Sequence, residues 1–258
     1  MPNVKYRYYT DGLNPRRTRL ETPGWGGDRE PRKSGSTEQP WHCLPFTESA
    51  RYGIELFYPF DVEFRASKRN GELILDDSDF GPPPENYGGE WPPFRRFGTP
   101  YYTYQVSIDL KPEEGYALRF EPHPRVFTDM TDTAPVAVPA LIRRWWPMTY
   151  FLVFKAPPEG CTHIFRPGEP MAQVLVLPEE ADFELVPMPP EEAAEREMQS
   201  RRIYQSRATL GADSTWTSAT NTVFDGTYRR ILGAASEKAR SEKARKEKAP
   251  TRDSGEGA

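Results

Sequence analysis

The feature that most restricts how this chain can fold is a period-two alternation of large apolar side chains through its middle. Tyr52, Ile54, Leu56 and Tyr58 alternate with other residues, then Phe60, Val62 and Phe64 alternate with Asp61, Glu63 and Arg65. Tyr102, Tyr104, Val106, Ile108 and Leu110 keep the same pattern and predict one long strand. Successive side chains of a strand point to opposite faces, so this period buries one face and wets the other, which a helix cannot do. Asn70-Gly71 supplies the left-handed backbone of a tight turn and Leu73, Ile74 and Leu75 follow at once, predicting a hairpin across 60–76. Gly115 opens a further strand through Tyr116, Leu118 and Phe120, and the nearly continuous apolar tract Met148 to Phe154 reads as a central strand. Segments 161–166, 171–177 and 182–186 complete a series with the cadence of a sandwich or barrel.

Twenty-eight prolines and 19 glycines among 258 residues punctuate the chain into many short elements, which again favours β architecture. Aromatic residues make up 13% and charged residues 28%, enough apolar side chain for a real core, so global disorder is excluded. The formal net charge is −4, from 34 basic and 38 acidic residues, so no overall field draws the chain to nucleic acid or to an anionic membrane. Two cysteines, Cys43 and Cys161, are too few for a disulfide framework, though a single bridge stays open. No apolar run approaches the roughly 18 residues of a membrane span and residues 1–10 contain no apolar signal core, so a cytoplasmic address is expected.

The expected organisation is an irregular N-terminal arm over 1–40, a β-rich core over 41–188 and a helix over 189–210 packed on that core. A linker with a short amphipathic helix over 211–233 and a charged tail over 234–258 follow. Proline and acids at Pro190-Glu191-Glu192 with Arg201, Arg202 and Arg207 toward the other end mark the long helix. Phe224, Tyr228, Ile231 and Leu232 form the short stripe. Ser-Glu-Lys-Ala-Arg occurs twice, at 236–240 and 241–245, without a large apolar residue, so the tail is disordered or a solvated helix. The fold class expected is mainly β: a single sandwich or barrel, jelly-roll or cupin-like or β-clip-like, with C-terminal helices. Between its strands, 76–100 reads as a long loop rich in proline and aromatics, either a binding lid or an aromatic flap over the core.

Three stretches in order, Cys43-Leu44-Pro45-Phe46-Thr47-Glu48 with Gly53 after it, Gly115-Tyr116, and Gly168-Glu169-Pro170 leading into 171–177, resemble an uncharacterised bacterial family, domain of unknown function 6065. Trp146-Pro147-Met148-Thr149-Tyr150-Phe151 and Ser200-Arg201 also resemble family positions, so the likeness spans about 41–207. The family pattern has an acidic pair where this chain has Ile142-Arg143-Arg144-Trp145. The resemblance implies a shared β fold and no established activity.

Three constellations could carry chemistry. Of only three histidines, His42, His123 and His163, two lie beside strands. Glu121-Pro122-His123 and Cys161-Thr162-His163 are similar to a degraded pair of cupin motifs, and that resemblance implies a two-histidine, one-carboxylate face of Glu121, His123 and His163 for Fe(II) or another divalent transition metal. Surface or capping histidines are the alternative. Gly168-Glu169-Pro170-Met171-Ala172-Gln173 is similar to the glycine-turn-then-strand segment of dUTPases, with Arg143-Arg144 where such an enzyme holds its acid, implying kinship of fold without hydrolysis. Finally, Arg143, Arg144, Trp145 and Trp146 could clamp an anionic or aromatic ligand by forked hydrogen bonds and stacking, the alternative being a turn with its tryptophans in the core. The reading is a binding or accessory domain for a small molecule or protein partner, with a pocket beneath the 76–100 loop and near Trp145 and Trp146. A cupin-like iron oxygenase is second and a dUTPase-like nucleotide-binding protein third. A homo-oligomer is compatible with all three.

Overall fold

The computed structural model describes residues 2–8, 15–19, 44–85, 87, 89–98, 100–127, 129, 131–180, 183–209, 215–217, 223–225 and 240–241; at 44, 47, 202–209, 215–217 and 223–225 it describes the backbone only. The chain divides into two compact units, residues 1–26 with 38–183 and residues 27–37 with 184–258.

In the first unit the elements run β1 (Val4–Tyr8), β2 (Arg16–Arg17), α1 (Leu44–Ser49), β3 (Ile54–Phe57), β4 (Phe64–Arg69), β5 (Glu72–Asp76), β6 (Phe94–Phe97), β7 (Tyr101–Gln105), β8 (Ile108–Pro112) and β9 (Tyr116–Pro122). A short 3-10 turn (Pro124–Phe127), β10 (Ala140–Arg143), β11 (Phe151–Lys155), β12 (Thr162–Phe165) and β13 (Pro170–Pro178) follow. A five-stranded sheet has the order β10-β9-β13-β3-β2, two three-stranded sheets have the orders β11-β7-β6 and β12-β4-β5, and β1 pairs with β8. Every pairing is antiparallel. The sheets stack as a β-sandwich, and among the described residues none closes into a barrel. Their inward side chains meet in one cluster that includes Leu56, Tyr58, Phe64, Phe94, Tyr104, Phe120, Phe154, Phe165 and Val174. At its centre the rings of Phe64 and Phe94 stack with centroids 3.5 Å apart.

The alternation places the five-stranded sheet. Leu56, Ala172, Val174, Leu118 and Phe120 face the core, whereas Glu55, Gln173 and Glu121 lie in one register row across β3, β13 and β9 on the other face. Gln173 donates from its amide to the carbonyls of Ser49 and Tyr52, tying the end of α1 to the sheet. Gly53 has φ +96°, and a Cβ there would sit 2.4 Å from the Val174 carbonyl oxygen, so only glycine lets the chain enter β3 at this approach. The hairpin turn falls at Asn70-Gly71, with φ of 52° and 79°, and the Glu159 carboxylate accepts both of its backbone N–H groups.

Several expectations are corrected. The N-terminal arm is not wholly irregular, since β1 and β2 pair with β8 and β3. Phe60–Glu63 is not strand: Phe60 turns into an edge-on aromatic cluster with Tyr58, Phe80 and Trp91. The long strand over 102–110 breaks at Val106-Ser107, where the Ser107 hydroxyl bonds that of Tyr104 at 3.0 Å and the chain changes partner, from β6 and β11 to β1. β6 interrupts the 76–100 loop. β11 is not central; it ends a three-stranded sheet, and β7 and β13 take the central places, with both faces buried over most of their length.

In the second unit α2 (Pro190–Thr209) matches the predicted helix, and β14 (Thr215–Thr217) pairs with β15 (Val223–Asp225). The strand β15 begins the stripe expected to be helical. Every described side chain from Pro190 to Arg201 is exposed, and the helix is stitched by Glu197–Arg201 and Glu195–Gln199 contacts at i, i+4. Residues 183–186 form no strand, and Leu185 is 88% exposed. Cys43, His42, Tyr228, Ile231, Leu232 and nearly all of the 234–258 tail lie outside the described residues. No helix among the described residues is long and apolar enough to cross a membrane.

Candidate functional site

The alternation of β8 turns Ile108 and Leu110 inward and Asp109 and Lys111 outward. Antiparallel pairing sets Arg7 of β1 opposite Asp109, and the two form an ion pair at 2.9 Å. Among the described residues no strand pairs with the other side of β8 at Leu110. There the Tyr150 hydroxyl accepts the Leu110 N–H at 2.7 Å and donates to the Leu110 carbonyl, standing where a neighbouring backbone would stand. This double contact seats the 143–150 tract against β8.

At the end of β10 the Trp146 N–H donates to the Arg143 carbonyl at 2.9 Å, closing a tight turn that carries Arg144 and Trp145 at its tip. The Arg143 guanidinium donates to the Glu179 carbonyl oxygen at 3.4 Å and lies 3.5 Å from its carboxylate. Arg144 stands 4.0 Å from Glu114, a contact at the limit of an ion pair between exposed side chains. Trp145 is 69% exposed and Trp146 is 40% exposed, so neither belongs to the core.

Between these elements lies a cleft of about 250 Å³ lined by Arg7, Asp109, Lys111, Arg143, Arg144, Trp146 and Met148, with Leu110 and Tyr150 beside it. Four cations face one carboxylate, and that carboxylate is already held by Arg7. Lys111 makes no ion pair among the described residues. Of the predicted ligand-binding residues, Arg143, Arg144 and Trp146 thus line one cleft. Trp145 does not line it; its ring lies 6.1 Å from that of Trp146. Arg7, Lys111 and Tyr150 escaped the sequence reading, because the first two join only through strand pairing and the third looks in sequence like a core tyrosine.

The predicted metal ligands are not brought together. Glu121 pairs with Arg119 on the outer face of the five-stranded sheet. His123, one residue past β9, is buried with its Nε2 3.3 Å from Glu55. His163 on β12 points into the core, where its Nδ1 meets the Tyr102 hydroxyl at 2.9 Å. Among the described residues no group of three or more His, Cys, Asp or Glu side chains is placed to hold a metal ion. The obstacle is parity, which sends His123 outward from one sheet and His163 inward from another.

Burial pushes the His163 imidazole down to about 4, against the ordinary 6.5, and the Tyr102 phenol well above its usual range, so both groups of this hydrogen bond are uncharged at neutral pH. The unfolded chain therefore binds a proton between pH 6.5 and 4 that the folded chain refuses. His163 is expected to cost the fold stability as pH falls through that window, by roughly 3 kcal/mol at its lower end. His163→Asn keeps an acceptor for Tyr102 and removes the titration, so urea unfolding at pH 7 and pH 4.5 should show a shallower loss for the variant. Equal losses in both proteins would show that the buried imidazole is not responsible.

No family model and no curated protein matches the chain. Solved structures overlap it loosely. A mutant dUTPase from phage phi11 of S. aureus matches at 9% identity and TM-score 0.36, over 73% of this chain and 99% of that one. Native EIAV dUTPase matches at 7% identity and TM-score 0.34, over 73% of this chain and 98% of that one. At such values the overlap says nothing about a ligand or a reaction.

Proposed function

We propose that the sandwich is a binding domain for a small anionic ligand, held in the cleft of Arg7, Lys111, Arg143, Arg144 and Trp146. The observation that carries this reading is the convergence of four cations from three separate segments on one cleft, in a chain whose formal net charge is −4. Asp109, Glu179 and Glu114 offset three of these charges in part, and Lys111, with no ion pair among the described residues, leaves the cleft a positive excess that attracts an anion. Lys111 offers a compact point charge, Arg144 a fork little occupied by its distant partner, and Arg143 a guanidinium whose direction Glu179 sets. Trp146 supplies a wall on which an apolar or planar part of a ligand can rest. Asp109 is engaged by Arg7 and the Tyr150 hydroxyl by Leu110, so what the lining offers is binding and not an acid–base pair.

Titration calorimetry with inorganic phosphate, at low and at moderate salt, tests the reading. Binding is expected to weaken as salt rises, and Arg144→Glu is expected to lower the association constant by about 10- to 100-fold, the value of one charge-assisted hydrogen bond lost. Lys111→Glu should act similarly, since both side chains are exposed and neither supports the core. Phosphate binding untouched by both changes, or no binding at all, would sink the proposal.

A further inference from the structure

The basic cleft is small. Its 250 Å³ accommodates a head group, whereas sites that take a whole drug-sized molecule run to roughly 300–1,000 Å³. A second cleft of about 390 Å³ adjoins it, lined by Tyr87, Gly89, Glu90, Gln105, Met148, Thr149 and Phe151. Met148 is common to both linings and 54% exposed. The 143–151 tract therefore runs from one cleft into the other, with cations at its start and Met148 and Phe151 at its end.

Glu90 and Gln105 of the second cleft are already engaged. Glu90 pairs with Arg95 through its carboxylate and donates its backbone N–H to the Gln105 side-chain oxygen at 3.1 Å. A Cβ at Gly89 would fall 1.8 Å from the Gln105 amide nitrogen, so this wall is closely fitted to Gln105. Burial pushes the Tyr87 phenol up to about 12, so it is uncharged at neutral pH. What is left for a ligand to touch is mostly apolar: the Tyr87 and Phe151 rings and the Met148 thioether, with Thr149 and the bare Gly89 backbone beside them.

We infer that the ligand is a single amphiphilic anion, its charged head among Arg7, Lys111, Arg143 and Arg144 and its apolar body lying across Met148 into the cleft lined by Tyr87, Gly89 and Phe151. This rests on the anion-binding reading above and adds the chemical class of the ligand. Two adjoining indentations, one cationic and one apolar, complement one molecule with those two ends. The occupant is a free molecule and not a membrane surface, because the charged head sits in a cleft of single-molecule size and the shallower apolar indentation beside it is of the same scale.

Calorimetry on the full chain with inorganic phosphate and then n-alkyl phosphates from methyl to octyl, each kept below its aggregation threshold, decides the matter. The association constant is expected to climb about three- to fourfold per methylene until the second cleft is filled, and then to level off. Phe151→Ser, which touches only the second cleft, should flatten the climb and leave inorganic phosphate binding unchanged. Thr149→Trp, which fills the second cleft, should bring octyl phosphate down to the affinity of phosphate itself. A flat series in the parent protein, with phosphate binding intact and sensitive to Arg144→Glu, overturns this inference and leaves the anion-binding reading standing. Absence of any Arg144-dependent phosphate binding overturns both. Cosedimentation with vesicles containing 30 mol% anionic lipid, without binding of monomeric octyl phosphate, would overturn the inference in favour of membrane docking.

Discussion

Alanine at Glu55 is expected to lower the stability of the sandwich by about 2–4 kcal/mol, which for a domain of this size moves the thermal midpoint by roughly 10 °C. The Glu55 carboxylate is fully buried and gathers three donors: Arg16 Nε at 2.5 Å, the Arg19 backbone N–H at 2.8 Å and His123 Nε2 at 3.3 Å. The direction of the His123 contact follows from its other ring nitrogen. Nδ1 accepts the Arg125 N–H at 3.2 Å, so in the neutral ring the proton sits on Nε2 and faces Glu55. Removing the carboxylate takes an acceptor from the Arg19 N–H and from His123, which is 4% exposed, while Arg16, partly exposed, recovers some hydration.

Glu55→Gln keeps the shape and one acceptor oxygen, and about half the loss is expected. Because Arg16 and Arg19 belong to the segment held against β3, Glu55→Ala should also speed tryptic cleavage at these arginines. Urea unfolding together with limited proteolysis checks both effects. A Glu55→Ala protein within 0.5 kcal/mol of the parent and equally resistant to trypsin would show that the buried carboxylate does not anchor this segment.

Phe94→Ala is expected to cost about 3–5 kcal/mol, the range for emptying a large aromatic side chain from a packed core. Phe94 is 5% exposed and lies parallel to Phe64 at 3.5 Å between centroids. Its ring also meets Phe165 and Tyr104, each at 5.0 Å, so truncation removes contacts within its own sheet and to the β12-β4-β5 sheet at once. Phe97, three residues along the same strand, is 58% exposed, and Phe97→Ala should change stability by less than about 0.5 kcal/mol. Equal losses for the two variants, measured by denaturant unfolding, would falsify the assignment of Phe94 to the common core.

Phe94 also shows where reading the chain alone stopped. It sits among prolines and glycines in a stretch with no period of two, and its strand of four residues is too short for a pattern to show. The strands whose pattern was visible, β3 and β9, each have one face in the core and the other outward or beneath a covering segment, which is the condition that writes alternation into a sequence. β7 keeps the alternation of its tyrosines, yet Thr103 and Gln105 are buried as well, so the pattern could not reveal its central place. The break at Ser107 was hidden for a related reason: the alternation continues across it unchanged, because both strands face the same core from different partners.

Local chemistry was legible wherever neighbours in sequence act together. Asn70-Gly71 makes its hairpin turn, Pro190-Glu191-Glu192 opens its helix, and Arg143, Arg144 and Trp146 share one cleft. The metal triad failed because its members were judged by spacing, and spacing does not say which face of which sheet a side chain takes. His163 is an inward residue of β12 paired to β4, and His123 an outward one beside Glu55.

By itself the amino-acid sequence determined a mainly β chain, since a two-residue period admits no other way of hiding so many rings, and it marked a helix over 189–210 and singled out the Arg-Trp turn as chemically unusual. Only the tertiary structure decided what stands around that turn. Arg7 and Asp109 are 102 residues apart in sequence and meet because β1 and β8 pair in one register, which brings Lys111 to the same face. A pair of hydrogen bonds between the Tyr150 hydroxyl and the Leu110 backbone then sets the arginines across from that face. Such contacts depend on strand register and on one phenol reaching an unpaired edge, and neither leaves a trace in the order of residues.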